Sequence, residues 1–208
     1  MKIIASVFNQ FAIKKSIISS VAELDTQVVR FLNKKTQLFH FSQKLKIPVK
    51  ILYNTPETLG LDRIANAVGA VALFPSQNVL SIQAGSCLVF DFVNENSEYL
   101  GGSISPGIKL RYEALHHNTK KLPLLRVTDN VPDWIGFDTT ASINCGVIKG
   151  IRYEIDGFID DYRARFETLI VLLTGGDADY LQKLIKNTIF AAPNLVMKGL
   201  NEIIKYNV

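Results

Sequence analysis

The fold class of this 208-residue chain is decided by one stretch, residues 78–107, which reads NVLSIQAGSCLVFDFVNENSEYLGGSISPG. Residues 78–94 have the apolar and β-branched composition of two strands around a Gly-Ser turn. Residues 98–104 have the composition of a third strand and follow a polar turn. We therefore predict a meander of three strands joined by polar turns.

Strand-like and helix-like periods alternate on both sides of this stretch, which indicates an α/β protein. Ser105 and Pro106 predict a helix start, because serine favours the cap position and proline the first helical position. Pro75 ends the preceding helix because it has no amide hydrogen, and we place the domain boundary there, giving domains 1–76 and 77–208. Periodicity predicts helices over 1–11, 22–33, 59–74, 105–118, 140–166, 178–187 and from 194, and strands over 15–21, 36–41, 47–53, 168–173 and 189–192.

The composition excludes several classes of protein. The chain is 48% hydrophobic, and its net charge of +4 is too small for the basic surface of a dedicated nucleic-acid-binding protein. Two cysteines and three histidines are too few for a disulfide framework or a spaced zinc site. No apolar run reaches the ~18 residues that a membrane span needs. We therefore expect a cytoplasmic protein with neither nucleic acid nor membrane among its partners.

Four short clusters of polar residues and glycine stand at the ends of predicted elements. The first, Gly60-Leu61-Asp62-Arg63, begins a helix, and Asp62 has two interpretations there. It either stabilises the helix N-terminus and pairs with a neighbouring cation, or it is a general base for a substrate hydroxyl, with Arg63 binding an anionic group.

The other three clusters are glycine turns: Gln83-Ala84-Gly85-Ser86, Gly101-Gly102-Ser103-Ile104-Ser105-Pro106-Gly107 and Thr174-Gly175-Gly176-Asp177. Glycine lets backbone amides approach a phosphate, and a helix N-terminus is a ready anion site. Ligands of α/β proteins also favour the carboxyl ends of strands, where the last of these turns lies. Tight turns without any ligand explain the same glycines.

The order and spacing of these clusters are more specific than any one of them. Together with Gly136-Phe137-Asp138-Thr139 before a long helix, they resemble the motifs of the type III pantothenate kinases. The similarity extends to Ile17-Ile18-Ser19-Ser20-Val21 and to the Pro-Asn-Leu-Val and Gly-Leu-Asn segments within 193–201. It covers the chain from about residue 12 to the C-terminus.

The resemblance implies an α/β fold of two ribonuclease-H-like lobes, as in the superfamily of acetate and sugar kinases, heat-shock ATPases and actin. It implies a homodimer that binds the nucleotide between its lobes. The implied reaction is phosphorylation of pantothenate by ATP with Mg²⁺, the first step towards coenzyme A, with K⁺ or NH₄⁺ as an activating monovalent cation.

The resemblance also implies roles for individual residues. Asp62 is the expected catalytic base. The expected pantothenate site is lined by Tyr53, Gly60, Leu61, Arg63 and Thr139, the last of these contributed across the dimer interface. The expected nucleotide-binding residues are Gly85, Ser86, Gly175 and Gly176, with Ser86 at the position of a threonine in the family. Gln83 stands at the position of the family's cation ligand.

Two departures from the family pattern lead to a further expectation. Gln83 replaces an aspartate, and an amide brings no negative charge to a cation. The family's opening strand–turn–strand with D-x-G-N-[ST], which holds the ATP phosphates, has no counterpart here, so we expect an incomplete first lobe and a very poor kinase or none. The alternative to a kinase is a non-catalytic binding or regulatory protein on the same scaffold.

Overall fold

The structure, a computed structural model, describes residues 1–20, 24–132 and 134–208. Its helices are α1 (Lys2–Gln10), α2 (Thr26–Lys35), α3 (Leu61–Leu73), α4 (Ile108–His117), α5 (Thr139–Asn144), α6 (Gly150–Arg163), α7 (Ala178–Leu181) and α8 (Leu195–Tyr206). A 3₁₀ turn spans Pro56–Thr58, and a π-helical turn over Cys145–Lys149 joins α5 to α6. Its strands are β1 (Lys15–Ile18), β2 (Gln37–His40), β3 (Lys50–Ile51), β4 (Val79–Ala84), β5 (Cys87–Val93), β6 (Glu98–Pro106), β7 (Ile170–Thr174) and β8 (Phe190–Ala191).

A six-stranded mixed sheet forms the centre of the molecule, in the order β3-β6-β5-β4-β7-β8. β5 is antiparallel to both β4 and β6, so the predicted meander is confirmed. β7 runs parallel to β4, β8 runs parallel to β7, and β3 runs parallel to β6. The α/β class predicted from the alternating periods is therefore confirmed.

Alternation along the strands gives the sheet two buried faces. Leu80 and Ile82 of β4 and Phe90 of β5 point to one face, where they form the larger core with α4, the π-helical turn and α6. The intervening residues point to the other face, which α3 and α8 cover. Because side chains alternate in direction along a strand, Gln83 and Asp91 both lie on the face covered by α3.

Two glycines let α3 and α8 lie close together on that face. A Cβ atom at Gly199 would lie 1.8 Å from the carbonyl oxygen of Ala65, and one at Gly69 would lie 2.6 Å from that of Leu195. The two helices are therefore in backbone contact with each other, which larger side chains at these positions would prevent.

A smaller unit lies at the N-terminal end of the chain. β1 and β2 form a two-stranded parallel sheet. The rings of Phe8 in α1 and Phe31 in α2 pack edge to face at 5.2 Å. The division into domains 1–76 and 77–208 stays a prediction. Contacts that join the segments on either side of residue 76 include the pairing of β3 with β6 and the packing of α3 on α8.

The predicted start of the helix at Ser105-Pro106 is wrong. Both residues belong to β6, where Ser105 is opposite Leu88 and Pro106 is opposite Cys87 of β5. Pairing with β5 keeps this segment extended, and α4 begins at Ile108 with Gly107 as its cap.

The helix predicted over 178–187 is too long, because α7 ends at Leu181. The buried carboxylate of Asp156 accepts hydrogen bonds from the backbone N–H groups of Lys186 and Asn187, at 3.0 and 3.1 Å. These bonds hold residues 186–187 outside a helical conformation. The predicted helix over 22–33 begins instead at Thr26, after Asp25 accepts a hydrogen bond from the Gln27 amide. Residue 21, the end of the predicted strand 15–21, and residues 22–23, the start of the predicted helix, lie outside the described residues.

Candidate active site

Three parallel strands end at the same edge of the sheet, and each is followed by a sharp change of direction. β4 ends before Gly85-Ser86, and β7 ends before Gly175-Gly176. β8 ends shortly before Asn194, which has a left-handed backbone (φ 58°) and begins α8. Since Gln83 is the register partner of Thr174, the two predicted glycine turns lie side by side.

Gly175 is required at this edge. Its φ is +100°, and a Cβ atom there would lie 2.1 Å from the carbonyl oxygen of Ala84. That same carbonyl accepts a hydrogen bond from the Asp177 N–H at 3.1 Å. The second turn is therefore pinned against the end of β4.

A cavity of about 410 Å³ opens at this edge. Gln83, Gly175 and Gly176 line one side of it, and the first turn of α8 lines the other, from Asn194 to Met197. A helix N-terminus carries free N–H groups and partial positive charge. The cavity therefore offers backbone donors and a glycine turn to an anionic ligand.

Gln83 is tied to α3 by a side-chain hydrogen bond. Asn66 Nδ2 donates to Gln83 Oε1 at 2.5 Å. Asn66 is fully buried, and its Oδ1 has no hydrogen-bond partner among the described residues. Asn66 follows Asp62 by four residues, so both lie on the same face of α3. This face runs from the predicted base to the edge of the sheet that holds the glycine turns.

The start of α3 exposes Asp62 to solvent. Gly60 is the cap residue, and Asp62 lies in the first helical turn, where a carboxylate is favoured by the helix dipole. A Cβ atom at Gly60 would lie 2.6 Å from Oδ1 of Asp62, so the glycine leaves room for this carboxylate. Leu61 is half-buried and packs on the core beneath.

Arg63 turns the opposite way and is buried. Its Nε donates to Asp91 Oδ1 at 2.9 Å, and its Nη2 lies 2.7 Å from the same oxygen. The hydroxyl of Tyr99 also donates to Asp91 Oδ1, at 2.7 Å. The rings of Tyr53 and Tyr99 lie 5.7 and 5.9 Å from the guanidinium carbon, within cation–π range.

Burial and charge shift the titration of this cluster. Burial raises the pKa of the Asp91 carboxyl, and the nearby charge of Asp62 acts in the same direction, against the hydrogen bonds from Arg63 and Tyr99. Burial acts to lower the pKa of Arg63, but Asp91 outweighs it and the pKa is raised. Burial also raises the pKa of Tyr99 above its ordinary value, so its hydroxyl keeps the proton that it donates.

The structure groups most of the predicted site residues. Tyr53, Gly60, Leu61, Asp62 and Arg63 meet at the start of α3, and Gln83, Gly175 and Gly176 line the cavity at the sheet edge. Gly85 and the exposed Ser86 form the turn after β4, and the Ser86 carbonyl accepts a hydrogen bond from the Gly107 N–H at 3.1 Å.

Thr139 lies elsewhere. It is the first residue of α5, whose cap Asp138 accepts a hydrogen bond from the Ala141 N–H at 2.8 Å. It lines an open, largely apolar groove of about 940 Å³ with Arg111 and Ser142, among other residues. None of the residues that line this groove belongs to the start of α3.

Sequence reasoning missed three residues of the site: Asn66, Asp91 and Tyr99. Two of them left a signal. Asp91 is the one charged residue in the apolar strand LVFDFV, and Asn66 is the polar residue in the apolar stretch IANAV. A polar side chain within a buried element needs a partner, although the sequence does not say which one.

Comparison with known proteins identifies the family. The sequence model of the family described as type III pantothenate kinase matches residues 1–161. The chain belongs to the type III pantothenate kinase family. Curated relatives with this name cover most of the chain. The one from Flavobacterium johnsoniae is 45% identical over 192 residues, which is 92% of this chain and 78% of that protein.

Other type III pantothenate kinases have similar sequence identity to this chain. The protein from Cytophaga hutchinsonii is 46% identical over 189 residues, which cover 91% of this chain and 76% of that one. Among solved structures, that of a conserved Baf family transcriptional activator from Campylobacter jejuni matches with a TM-score of 0.61 and 25% identity, over 98% of this chain and 88% of that one.

The described residues offer few ligands to the metal ions that a pantothenate kinase implies. No cluster of three or more His, Cys, Asp or Glu side chains that could hold a metal ion occurs in residues 1–20, 24–132 and 134–208. Gln83 is neutral, and its Oε1 already accepts a hydrogen bond from Asn66. This position therefore does not fit a cation bound through a carboxylate. Within the same described ranges, no helix has the length and apolar character needed to cross a bilayer.

Proposed function

We propose that this type III pantothenate kinase transfers the γ-phosphoryl group of ATP to the hydroxyl group of pantothenate, with Asp62 as the base. One observation carries the proposal. The face of α3 that bears Asp62 also bears Asn66, whose side chain bonds to Gln83 at the edge of the sheet with the glycine turns. A carboxylate and an anion-binding edge thus share one side of the molecule.

In the proposed reaction, the hydroxyl oxygen of pantothenate attacks the γ-phosphorus and its proton passes to Asp62. The bond between the γ-phosphorus and the bridging oxygen breaks, and ADP leaves. Catalysis of phosphoryl transfer is mostly positioning and charge stabilisation. The residues at the start of α3 therefore act by holding the acceptor: Tyr53, Gly60, Leu61 and Arg63 line its site.

ATP enters as its Mg²⁺ complex, since Mg²⁺ is held largely by phosphate oxygens and water in such sites. Gly175, Gly176 and the N-terminus of α8 offer backbone N–H groups to the nucleotide, with Gly85 and Ser86 at the neighbouring turn. No step requires a monovalent cation at Gln83.

The two-lobed arrangement belongs to the same proposal. The nucleotide would lie between ribonuclease-H-like lobes at 1–76 and 77–208, and the meander followed by two parallel strands supports this for the second lobe. A homodimer would bring Thr139 of one copy to the pantothenate site of the other, and the open groove beside Thr139 supports that role. A cytoplasmic location stays a prediction.

The test is ATP-dependent formation of phosphopantothenate by the purified chain and by Asp62→Asn. Removing a general base lowers turnover by about 10²–10⁴-fold, and we expect a loss in that range. Asp161→Asn is the matched control, because Asp161 is an exposed carboxylate in α6, away from the site. Equal turnover in Asp62→Asn would exclude the role of base, and no product from the unmodified chain would exclude the kinase proposal.

A further inference from the structure

Among the residues of β4, β5 and β7, Asp91 is the only acidic one, and it lies on the face of the sheet that α3 covers. Its side chain is fully buried, and that of Arg63 is 8% exposed. Burying an ion pair costs desolvation energy that well-packed apolar residues would not incur. We therefore look for the role of this pair in what it holds in place rather than in stability alone.

The geometry restricts the guanidinium of Arg63 from three sides. Asp91 Oδ1 contacts Nε and Nη2, at 2.9 and 2.7 Å. The rings of Tyr53 and Tyr99 flank the same group. Tyr53 is itself confined, because it packs beside Gly101, where a Cβ atom would lie 3.3 Å from the ring. These contacts restrict the conformations open to the Arg63 side chain.

Two polar atoms of this cluster, Asp91 Oδ2 and Arg63 Nη2, have no hydrogen-bond partner among the described residues. Asp91 Oδ1 receives the contacts of both Arg63 and Tyr99, while the buried Oδ2 has no hydrogen-bond partner among the described residues. The Nη2 group of Arg63 makes a close ionic contact but no well-aligned hydrogen bond. Buried polar atoms without partners are rare, and here the donors belong to a residue in the proposed acceptor site.

We propose that Asp91 is the positioning residue of this acceptor site: it fixes the Arg63 guanidinium, with support from Tyr99, and thereby the first turn of α3, which carries both Arg63 and Asp62. This inference rests on the proposed function. Arg63 directly follows Asp62 in the first turn of α3, so the anchor at Asp91 also sets how that turn presents the Asp62 carboxylate. Tyr99 acts through Asp91 and does not touch the substrate.

The test compares Asp91→Asn and Tyr99→Phe with the unmodified chain. A hydrogen bond to a charged group is worth about a factor of ten or more in an equilibrium constant. We expect the KM for pantothenate to rise about tenfold in Asp91→Asn and about threefold in Tyr99→Phe, with the KM for ATP within twofold of its original value. A merely structural role would change both KM values or neither.

Asp156→Asn is the matched control, because Asp156 is a buried carboxylate that binds backbone N–H groups on the opposite face of the sheet. We expect it to lower the melting temperature and to leave both KM values unchanged. If Asp91→Asn does not fold, Tyr99→Phe decides, since it removes one hydroxyl and keeps the ring.

Calorimetric titration of pantothenate into each variant separates this inference from the proposed function. If the unmodified chain binds pantothenate but forms no product, the kinase proposal fails while weaker binding by Asp91→Asn still supports the role of Asp91. Equal binding by Asp91→Asn and the unmodified chain overturns that role. Absence of pantothenate binding by the unmodified chain overturns both.

Discussion

The side chains of Asn66 and Gln83 join α3 to the end of β4 through one hydrogen bond, with Nδ2 and Oε1 2.5 Å apart. Both groups are neutral amides. An aspartate in place of Gln83 would put a negative charge at the mouth of the proposed nucleotide cavity, where a cation could balance it. In this chain the amide group of Asn66 donates a hydrogen bond to this side chain instead.

The neutral pair predicts that catalysis depends little on the monovalent cation. We expect the KM for ATP to differ less than twofold between KCl, NH₄Cl and choline chloride at one ionic strength. Gln83→Asp should introduce a dependence, because its carboxylate needs a cation beside it. The same comparison by MgATP-induced thermal stabilisation gives a readout without turnover. Strong activation of the unmodified chain by K⁺ would contradict the prediction.

Two glycines in helices predict opposite effects of the same substitution. Gly199→Ala places a Cβ atom 1.8 Å from the carbonyl oxygen of Ala65, so α8 must move away from α3. We expect a loss of about 1–3 kcal/mol in the free energy of unfolding, as for other overpacked contacts. Gly157→Ala is the control, since Gly157 is exposed in α6 and a Cβ atom there meets nothing within 4 Å.

For Gly157→Ala we expect a gain of about 0.5–1 kcal/mol, the difference in helix propensity between the two residues. Urea denaturation followed by circular dichroism measures both changes. A neutral effect of Gly199→Ala would mean that the two helices are not held in backbone contact.

Alkaline pH is expected to destabilise the fold through its buried tyrosines. Burial raises the pKa of Tyr112 to about 12, and it also raises the pKa of Tyr99, Tyr162 and Tyr180. The folded state thus binds these protons more tightly than the unfolded state, whose tyrosines titrate near 10. The stability that they contribute is complete below about pH 10 and is lost as the pH rises through about 12.

Absorbance at 295 nm tests this expectation. At pH 11 the folded chain should show fewer ionised tyrosines than the seven in the sequence, and addition of guanidinium chloride should release the rest. The change in stability with pH follows from urea titrations at pH 9 and pH 11. Ionisation of all seven tyrosines in the folded state near pH 10 would rule out these buried environments.

The parts of the fold that the sequence predicts are those governed by local pattern. The meander and the amphipathic helix after Thr139 follow from apolar periodicity. The structure confirms the meander, and it has the predicted helix 140–166 with a π-helical turn over Cys145–Lys149 and an earlier end at Arg163. The errors arise where distant residues compete with local propensity. β5 holds Ser105 extended, although a serine before proline favours a helix start, and Asp156 draws residues 186–187 out of the predicted helix.

The same distinction separates the parts of the site. Asp62 and the glycine turns are contiguous motifs, so the sequence is sufficient to find them. Asp91 and Asn66 act through partners 28 and 17 residues away. The sequence marks them as polar residues in apolar segments, but only strand register and the placement of α3 identify their partners.

The groove beside Thr139 predicts that two copies of this chain pair through it. Gly146→Arg tests this, because Gly146 lines the groove and a Cβ atom there meets nothing within 4 Å, so the single copy tolerates a side chain. We expect light scattering after size exclusion to give the mass of a dimer for the unmodified chain and for Gly157→Arg, the control outside the groove. Gly146→Arg should elute as a monomer with a raised KM for pantothenate, because Thr139 then no longer reaches a partner's site. A monomeric unmodified chain would contradict the dimer, and a dimeric Gly146→Arg would show that the copies do not pair through this groove.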